Sequence, residues 1–274
     1  MRRFKIIKAV YFSPTGATEM TAKLLAERLS AELEVPYETA SYTLPDERRQ
    51  GFSFGRDELV VWATPVYAGR IPNKTLEYVK GAIKGDGAHI IAVAVYGNRS
   101  FGDALCEMCG IIKDGGCLPL AGIAAVARHA FSDTLALGRP DEADMSRLTL
   151  FARKIAQKLK SGDDIAPAAV PGCERLEKYY TPLREDGAPA KFLKAAPKVR
   201  AEKCTRCGLC ESVCPMGVVT LDDHPKVVGA CIKCMACVKK CPEGALYFDD
   251  GDFLSHIRMI EKSFAERKEP ELFL

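Results

Sequence analysis

The feature that most constrains this chain is a repeat. Cys204, Cys207, Cys210 and Cys214, followed by Pro215, recur 27 residues later as Cys231, Cys234, Cys237 and Cys241, followed by Pro242. Both copies, CTRCGLCESVCP and CIKCMACVKKCP, read C-x2-C-x2-C-x3-C-P. Disulfides are one use for such a set. However, MRRFKIIKAVYF has no apolar run of signal-peptide length, and no stretch reaches the roughly 18 apolar residues of a membrane span. The expected setting is cytoplasmic, where thiols stay reduced and clustered cysteines bind metal. Three cysteines spaced in this way let a tight loop curl around a cubane and offer three thiolates to three irons. The three residues between Cys210 and Cys214 make one helical turn, which carries the fourth thiolate away from that loop. Proline then stops the turn. Structural zinc is the competing reading, but zinc knots pair two C-x2-C units across a longer gap.

Residues 201–248 resemble the bacterial two-cluster ferredoxin family, a small α+β fold. The resemblance implies that the fourth cysteine of each run serves the other cluster. One [4Fe–4S] cluster would then take Cys204, Cys207, Cys210 and Cys241, and the other Cys231, Cys234, Cys237 and Cys214. Small residues such as Gly208 and Ala236 are expected to let the backbone approach the clusters. His224 sits at no ligand spacing and reads as a turn residue before Pro225.

Residues 1–160 alternate strand-like and helix-like segments, which argues for a parallel sheet covered by helices on both faces. KIIKAVYF, ELVVWA, HIIAVAVY and, less cleanly, LPLAGIAAVA read as strands. The first runs into SPTGAT, where Ser13, Thr15, Gly16, Ala17 and Thr18 offer hydroxyls and free N–H donors at a helix start, as a phosphate requires. A capped helix start is the plainer reading of that stretch alone. Two more loops, Thr64-Pro65-Val66-Tyr67-Ala68-Gly69 and Gly97 to Asp103, lie at the carboxyl ends of successive strands, where doubly wound sheets bind ligands. No G-x-G-x-x-G and no P-loop lysine are present, so a dinucleotide or nucleoside triphosphate site is unsupported. Trp62 lies within a strand and reads as core.

This set resembles the flavodoxin-like family, a doubly wound five-stranded parallel sheet that binds FMN. The resemblance implies a phosphate on Ser13 to Thr18, one flavin face on Pro65 to Gly69, and the other on Gly97, Asn98, Arg99, Phe101 and Asp103. Tyr67 is the expected stacking partner, with Phe101 second. The two halves together resemble anaerobe flavodoxin–ferredoxin fusions, a kind of iron–sulfur flavoprotein. ARHAFSD, at the end of the fifth strand, would place His129 near the ring. Cys106 and Cys109 share a helix face and read as small core residues; with Cys117 and Cys173 they make no compact third set.

The expected organisation is a flavodoxin-like domain at 1–160, a Pro- and Ala-rich linker at 161–200, the ferredoxin domain at 201–248 and a helix within 249–274. Leu176, Tyr179, Tyr180, Phe192 and Leu193 are the linker residues able to pin it down. The net charge of +3, with Lys and Arg scattered, is too small to argue for nucleic-acid or membrane partners. Each cluster and a flavin phosphate would add about two negative charges, so the bare charge says little. The expected partners are redox proteins, with no nucleic acid and no membrane insertion. The expected function is electron transfer between two [4Fe–4S] clusters and FMN. The alternatives are a reductase passing electrons from FMN to a quinone or aromatic compound, and a redox or oxygen sensor. Because only a terminal phosphate suits a short hydroxyl-bearing loop, the released flavin should be FMN by mass spectrometry, not FAD. The Thr15→Val, Thr18→Val double variant should bind it far more weakly.

Overall fold

The computed structural model describes residues 4–162, 168–172 and 175–274. Ile6–Tyr11 (β1), Tyr37–Ser41 (β2), Glu58–Pro65 (β3), His89–Tyr96 (β4) and Leu118–Val126 (β5) pair in parallel, in the order 2-1-3-4-5. That order is the flavodoxin-like doubly wound arrangement. The central strands are buried on both faces, so side-chain alternation sorts their residues into two cores. Val60, Trp62, Ile90 and Ala92 face one core, and Leu59, Val61, Ile91 and Val93 the other. Helices Ala17–Leu33 (α1) and Glu142–Ser161 (α4) cover the second core, while Asn73–Ala82 (α2) and Ala104–Asp114 (α3) cover the first. Trp62 is fully buried and stacks on Tyr42 at 5.1 Å. Cys106 and Cys109 pack into the same core; Cys173 lies outside the described residues.

Each cysteine run builds a loop that enters a short helix, Leu209–Ser212 (α5) or Ala236–Lys240 (α6). Two antiparallel ribbons flank them: Val219–Leu221 with Pro225–Val227, and Lys198–Val199 with Leu246–Tyr247. The expected C-terminal helix is Gly251–Ser263 (α7), capped by Asp250. Its Phe253 is fully buried among Phe131, Phe192 and Phe248, with ring centroids 4.8, 5.2 and 4.6 Å away. One aromatic cluster therefore joins the sheet domain, the ferredoxin half and the segment between them.

The stretch expected to act as a linker is, in its described residues, part of the packed structure. Tyr180 N–H donates to the Ala68 carbonyl at 2.9 Å, and Tyr179 hydroxyl to the Ile71 carbonyl at 2.8 Å. Proline and glycine deny it regular structure, but Phe192 is buried and Tyr179 and Tyr180 are half-buried. Leu176 and Leu193 do not help, being 41% and 92% exposed.

After α7 the chain returns to the first domain and adds a sixth strand, Glu271–Phe273 (β6), antiparallel to β5. The expected five-stranded parallel sheet thus gains an edge strand that covers otherwise open backbone groups of β5. Three residues, ELF, are too few to show a period, so composition gave no warning. Asn98 fastens this arm. It is 2% exposed, sits at a φ of 63°, and donates to the carbonyls of Phe264 at 2.6 Å and Glu266 at 2.8 Å. It also accepts from Lys268 N–H at 3.1 Å. Arg139, buried against Asp144, donates to the Lys268 carbonyl at 2.6 Å. Replacing Asn98 by Ala should cost about 1–3 kcal/mol, since a buried amide that bonds three backbone groups of the arm is lost. Urea titration should show the loss, and hydrogen exchange should localise faster opening to residues 264–273.

Candidate functional site

A cavity of about 550 Å³ opens where the carboxyl ends of β1, β3, β4 and β5 meet, within the range of small-molecule sites. Its first wall is the start of α1. Gly16, at a φ of 98°, is the N-cap and brings no side chain to cap the helix. Among the described residues, the N–H groups of Gly16, Ala17 and Thr18 meet no acceptor. Thr15, Ala17 and Thr18 line the cavity at that end. The result is a helix N-terminus with free donors, hydroxyls and a positive dipole end facing the cavity. Pro65, Val66, Tyr67 and Ala68 form the second wall, shaped by a turn in which Tyr67 and Arg70 exchange backbone hydrogen bonds of 2.9 and 3.1 Å. Gly97 and Arg99 form the third.

The other expected site residues support these walls without lining them. Ser13 Oγ accepts from Glu19 N–H at 2.9 Å and so serves the helix. Thr64 is 1% exposed at the end of its strand. Gly69 accepts from Asp103 N–H at 2.9 Å, which locks the two loops together. Asp103 Oδ2 accepts from Glu177 N–H at 2.6 Å and holds the crossing segment. Asn98 holds the C-terminal arm. Phe101 points into the core, against Tyr96 and Phe273, which removes it as a stacking partner. Tyr67 is the aromatic residue of these two loops that faces the cavity.

Several lining residues carry no local sequence signal, because distant segments bring them. Tyr179, Tyr180 and Phe192 arrive from the crossing segment and His256 from α7. Arg99 lies with its guanidinium 4.0 Å from the Tyr180 ring centroid, and burial lowers its pKa from the usual value. Cation–π contact offsets part of that desolvation. His129 packs so tightly on Gly97 that a Cβ there would lie 2.5 Å from its Cδ2. Its Nδ1 accepts from Phe131 N–H at 3.2 Å, so the neutral ring carries its proton on Nε2. Burial, with the charges of His256 and Arg99 behind it, pushes its pKa down to about 3. His256 is the opposite tautomer, since its Nδ1 donates to the Leu183 carbonyl at 2.8 Å.

The cysteines surround two separate small voids. One is walled by Cys204, Cys207, Cys210 and Cys241, the other by Cys231, Cys234, Cys237 and Cys214. These are the two four-cysteine sets that the ferredoxin resemblance implies. Among the described residues, no three His, Cys, Asp or Glu converge as the ligands of one ion do; the cysteines ring the voids. Both loops repeat one backbone pattern, with positive φ two and four residues after the first cysteine: Arg206 at 59° and Gly208 at 76°, Lys233 at 56° and Met235 at 66°. Met235, not Ala236, is therefore the counterpart of Gly208. Each non-glycine residue held there costs about 1–2 kcal/mol. The curl turns N–H groups toward sulfur: Lys233 N–H lies 3.4 Å from Cys231 Sγ, and Ala245 N–H 3.3 Å from Cys241 Sγ. Burial pushes the Cys234 and Cys237 thiols up to about 12. Metal coordination is what makes such thiols thiolates at neutral pH, so both sets suit a four-thiolate cluster.

If the sets are used as grouped, Cys214→Ala should damage the cluster of Cys231, Cys234 and Cys237, and Cys207→Ala the other. EPR of the reduced single variants should show each losing a different signal. Loss of the same signal in both would rule out the crossed ligation.

Two family models, each described as a 4Fe-4S dicluster domain, match residues 203–246 and 170–219. No curated protein matches the chain. Among solved structures, a Streptococcus pneumoniae TIGR4 flavodoxin is 21% identical over 56% of this chain and 99% of its own, at a TM-score of 0.38. Megasphaera elsdenii flavodoxin is 17% identical over 55% of this chain and 98% of its own, at 0.36. Rubredoxin oxygen:oxidoreductase from Desulfovibrio gigas is 20% identical over 58% of this chain and 37% of its own, at 0.35. The fold assignment rests on the strand order, not on these scores. The strand order gives the first half a flavodoxin-like fold, and residues 203–246 match a 4Fe-4S dicluster domain, as a flavodoxin–ferredoxin fusion would.

Proposed function

We propose that FMN occupies the 550 Å³ cavity and exchanges electrons with the two [4Fe–4S] clusters inside this one chain. One observation carries the reading. Cys231, Ile232 and Lys233 wall both the cavity and the void ringed by Cys214, Cys231, Cys234 and Cys237. That cluster is then the inner one, and the set of Cys204, Cys207, Cys210 and Cys241 lies farther out, where Cys207 is exposed. When bound, the clusters carry electrons singly and FMN takes one or two, so the pair joins one-electron donors to two-electron acceptors.

The chain's own residues have defined tasks. The free N–H groups of Gly16 to Thr18, with the Thr15 and Thr18 hydroxyls, hold the phosphate. Tyr67 offers its ring from the β3 loop, and Arg99 brings a fixed positive charge. His129 presents Nε2–H as a donor. The crossing segment and α7 wall part of the cavity, and the loop of Cys231 to Lys233 gives electrons a route into it through protein. Redox proteins that serve the outer cluster are the expected partners. Among the described residues, no helix is long and apolar enough to cross a membrane.

A second reading, reduction of a small molecule at the flavin, is favoured by the Arg99, His129 and His256 wall, which suits a carbonyl-bearing acceptor. The test uses the full chain. A truncation at residue 201 would remove β6 and the partners of Asn98 along with the ferredoxin half. After anaerobic reconstitution with iron, sulfide and FMN, stepwise photoreduction should bleach the flavin as the clusters are reduced, without mediators. Clusters that reduce fully while the flavin stays oxidised would overturn the proposal. Flavin spectra perturbed by an added quinone would favour the second reading.

A further inference from the structure

The loop after β2 ends in a single 3₁₀ turn, Asp46–Arg48, that reaches across to the ferredoxin half. Arg48 is half-buried there. Its Nη1 donates to the carbonyls of Tyr42 at 2.9 Å and Thr43 at 2.6 Å, and its Nη2 donates to the carbonyl of Pro215. Pro215 follows Cys214, the residue that crosses over to the inner set. Among the described residues, no carboxylate forms an ion pair with Arg48. A half-buried guanidinium held directly only by neutral carbonyls has no paired counter-charge; Glu47, engaged by Ser41 and Leu44 N–H, acts on it only through space. The Pro215 contact places it one residue from Cys214, whose sulfur is among the groups it interacts with electrostatically, after Tyr78, Glu47 and Tyr42. Among the described residues the outer set has no equivalent: Arg206, in its loop, is exposed to solvent and screened.

We propose that Arg48 sets the potentials of the two clusters apart, by fixing a positive charge beside Cys214 that makes the inner cluster the more easily reduced. This rests on the function proposed above. A four-thiolate [4Fe–4S] centre gains a negative charge on reduction, and a nearby cation in a low-dielectric setting stabilises the more negative state. Because the cation belongs to the flavodoxin-like domain, docking of the two halves and the potential of the inner cluster are one event. Arg48 is a positioning and tuning residue; it touches no reacting atom.

The experiment is a dithionite titration of the reconstituted full chain, followed by EPR, with signals assigned from the Cys207 and Cys214 variants. In Arg48→Gln, which keeps a donor for the Pro215 carbonyl, the inner cluster should lose at least tenfold in its one-electron reduction equilibrium, about 59 mV. The outer cluster should not move. Arg48→Lys should retain most of the wild-type value, which a purely structural role would not give. Arg49→Gln, at the exposed neighbour paired with Asp46, should move neither. If Arg48→Gln does not assemble, Arg48→His carries charge at about pH 5 and little at about pH 8. The inner midpoint should then fall across that interval more than in wild type. Unchanged midpoints, or equal shifts of both clusters, overturn the inference. Failure of wild-type protein to form clusters would instead overturn the functional reading beneath it.

Discussion

Cys231, Ile232 and Lys233 belong to two cavities at once, and much of the structure serves to hold them there. Lys233 is 8% exposed, and its ammonium donates to the carbonyls of Leu193 at 2.9 Å and Cys231 at 3.1 Å. This ties the cluster loop to the crossing segment. Phe253 presses the same segment, through Phe192, against the sheet domain. Arg48 clamps the partner run at Pro215. A shift of any of these would move the cavity relative to the inner cysteine set, and under the proposed function that separation is what the chain has to control.

The docking of the halves is mainly hydrophobic at its centre and polar at its rim. Fully burying a phenylalanine contributes about 1.5–3 kcal/mol, and the edge-to-face contacts around Phe253 add to it. Around that centre, Ser132 donates to Glu261 at 2.5 Å, Glu185 N–H to Ser255 at 3.1 Å, and Lys191 N–H to Asp252 at 2.6 Å. The exposed pairs, such as Arg258 with Glu185, contribute little apiece. Register comes instead from the part-buried carbonyls of Phe264, Glu266 and Lys268 in the C-terminal arm, which Asn98 and Arg139 bond.

Much of this was legible in advance for reasons of spacing. A ligand set that wraps an inorganic core must repeat at short intervals, so the eight cysteines announce themselves. Strands buried on both faces must be continuously apolar, so β3 and β4 are plain in ELVVWA and HIIAVAVY. The loops after β1, β3 and β4 follow from the strand ends. Less was visible within those loops. Asn98, Phe101 and Asp103 sit where a flavin loop is expected, yet tether the C-terminal arm, the core and the crossing segment. A polar or aromatic residue in a loop has the same appearance whichever neighbour it meets. Met235 likewise gave no sign of its left-handed backbone, which glycine usually signals.

By itself the sequence determined the chemistry and the two scaffolds, because both depend on local order: metal ligands spaced by a few residues, and apolar runs as long as a strand. Tertiary structure alone decided how the scaffolds meet. The roles of Arg48, His256 and Tyr180, the sixth strand, and the wall shared by cavity and cluster all join residues far apart in the chain. Such contacts depend on which surfaces bury best together, and that is a property of the folded whole.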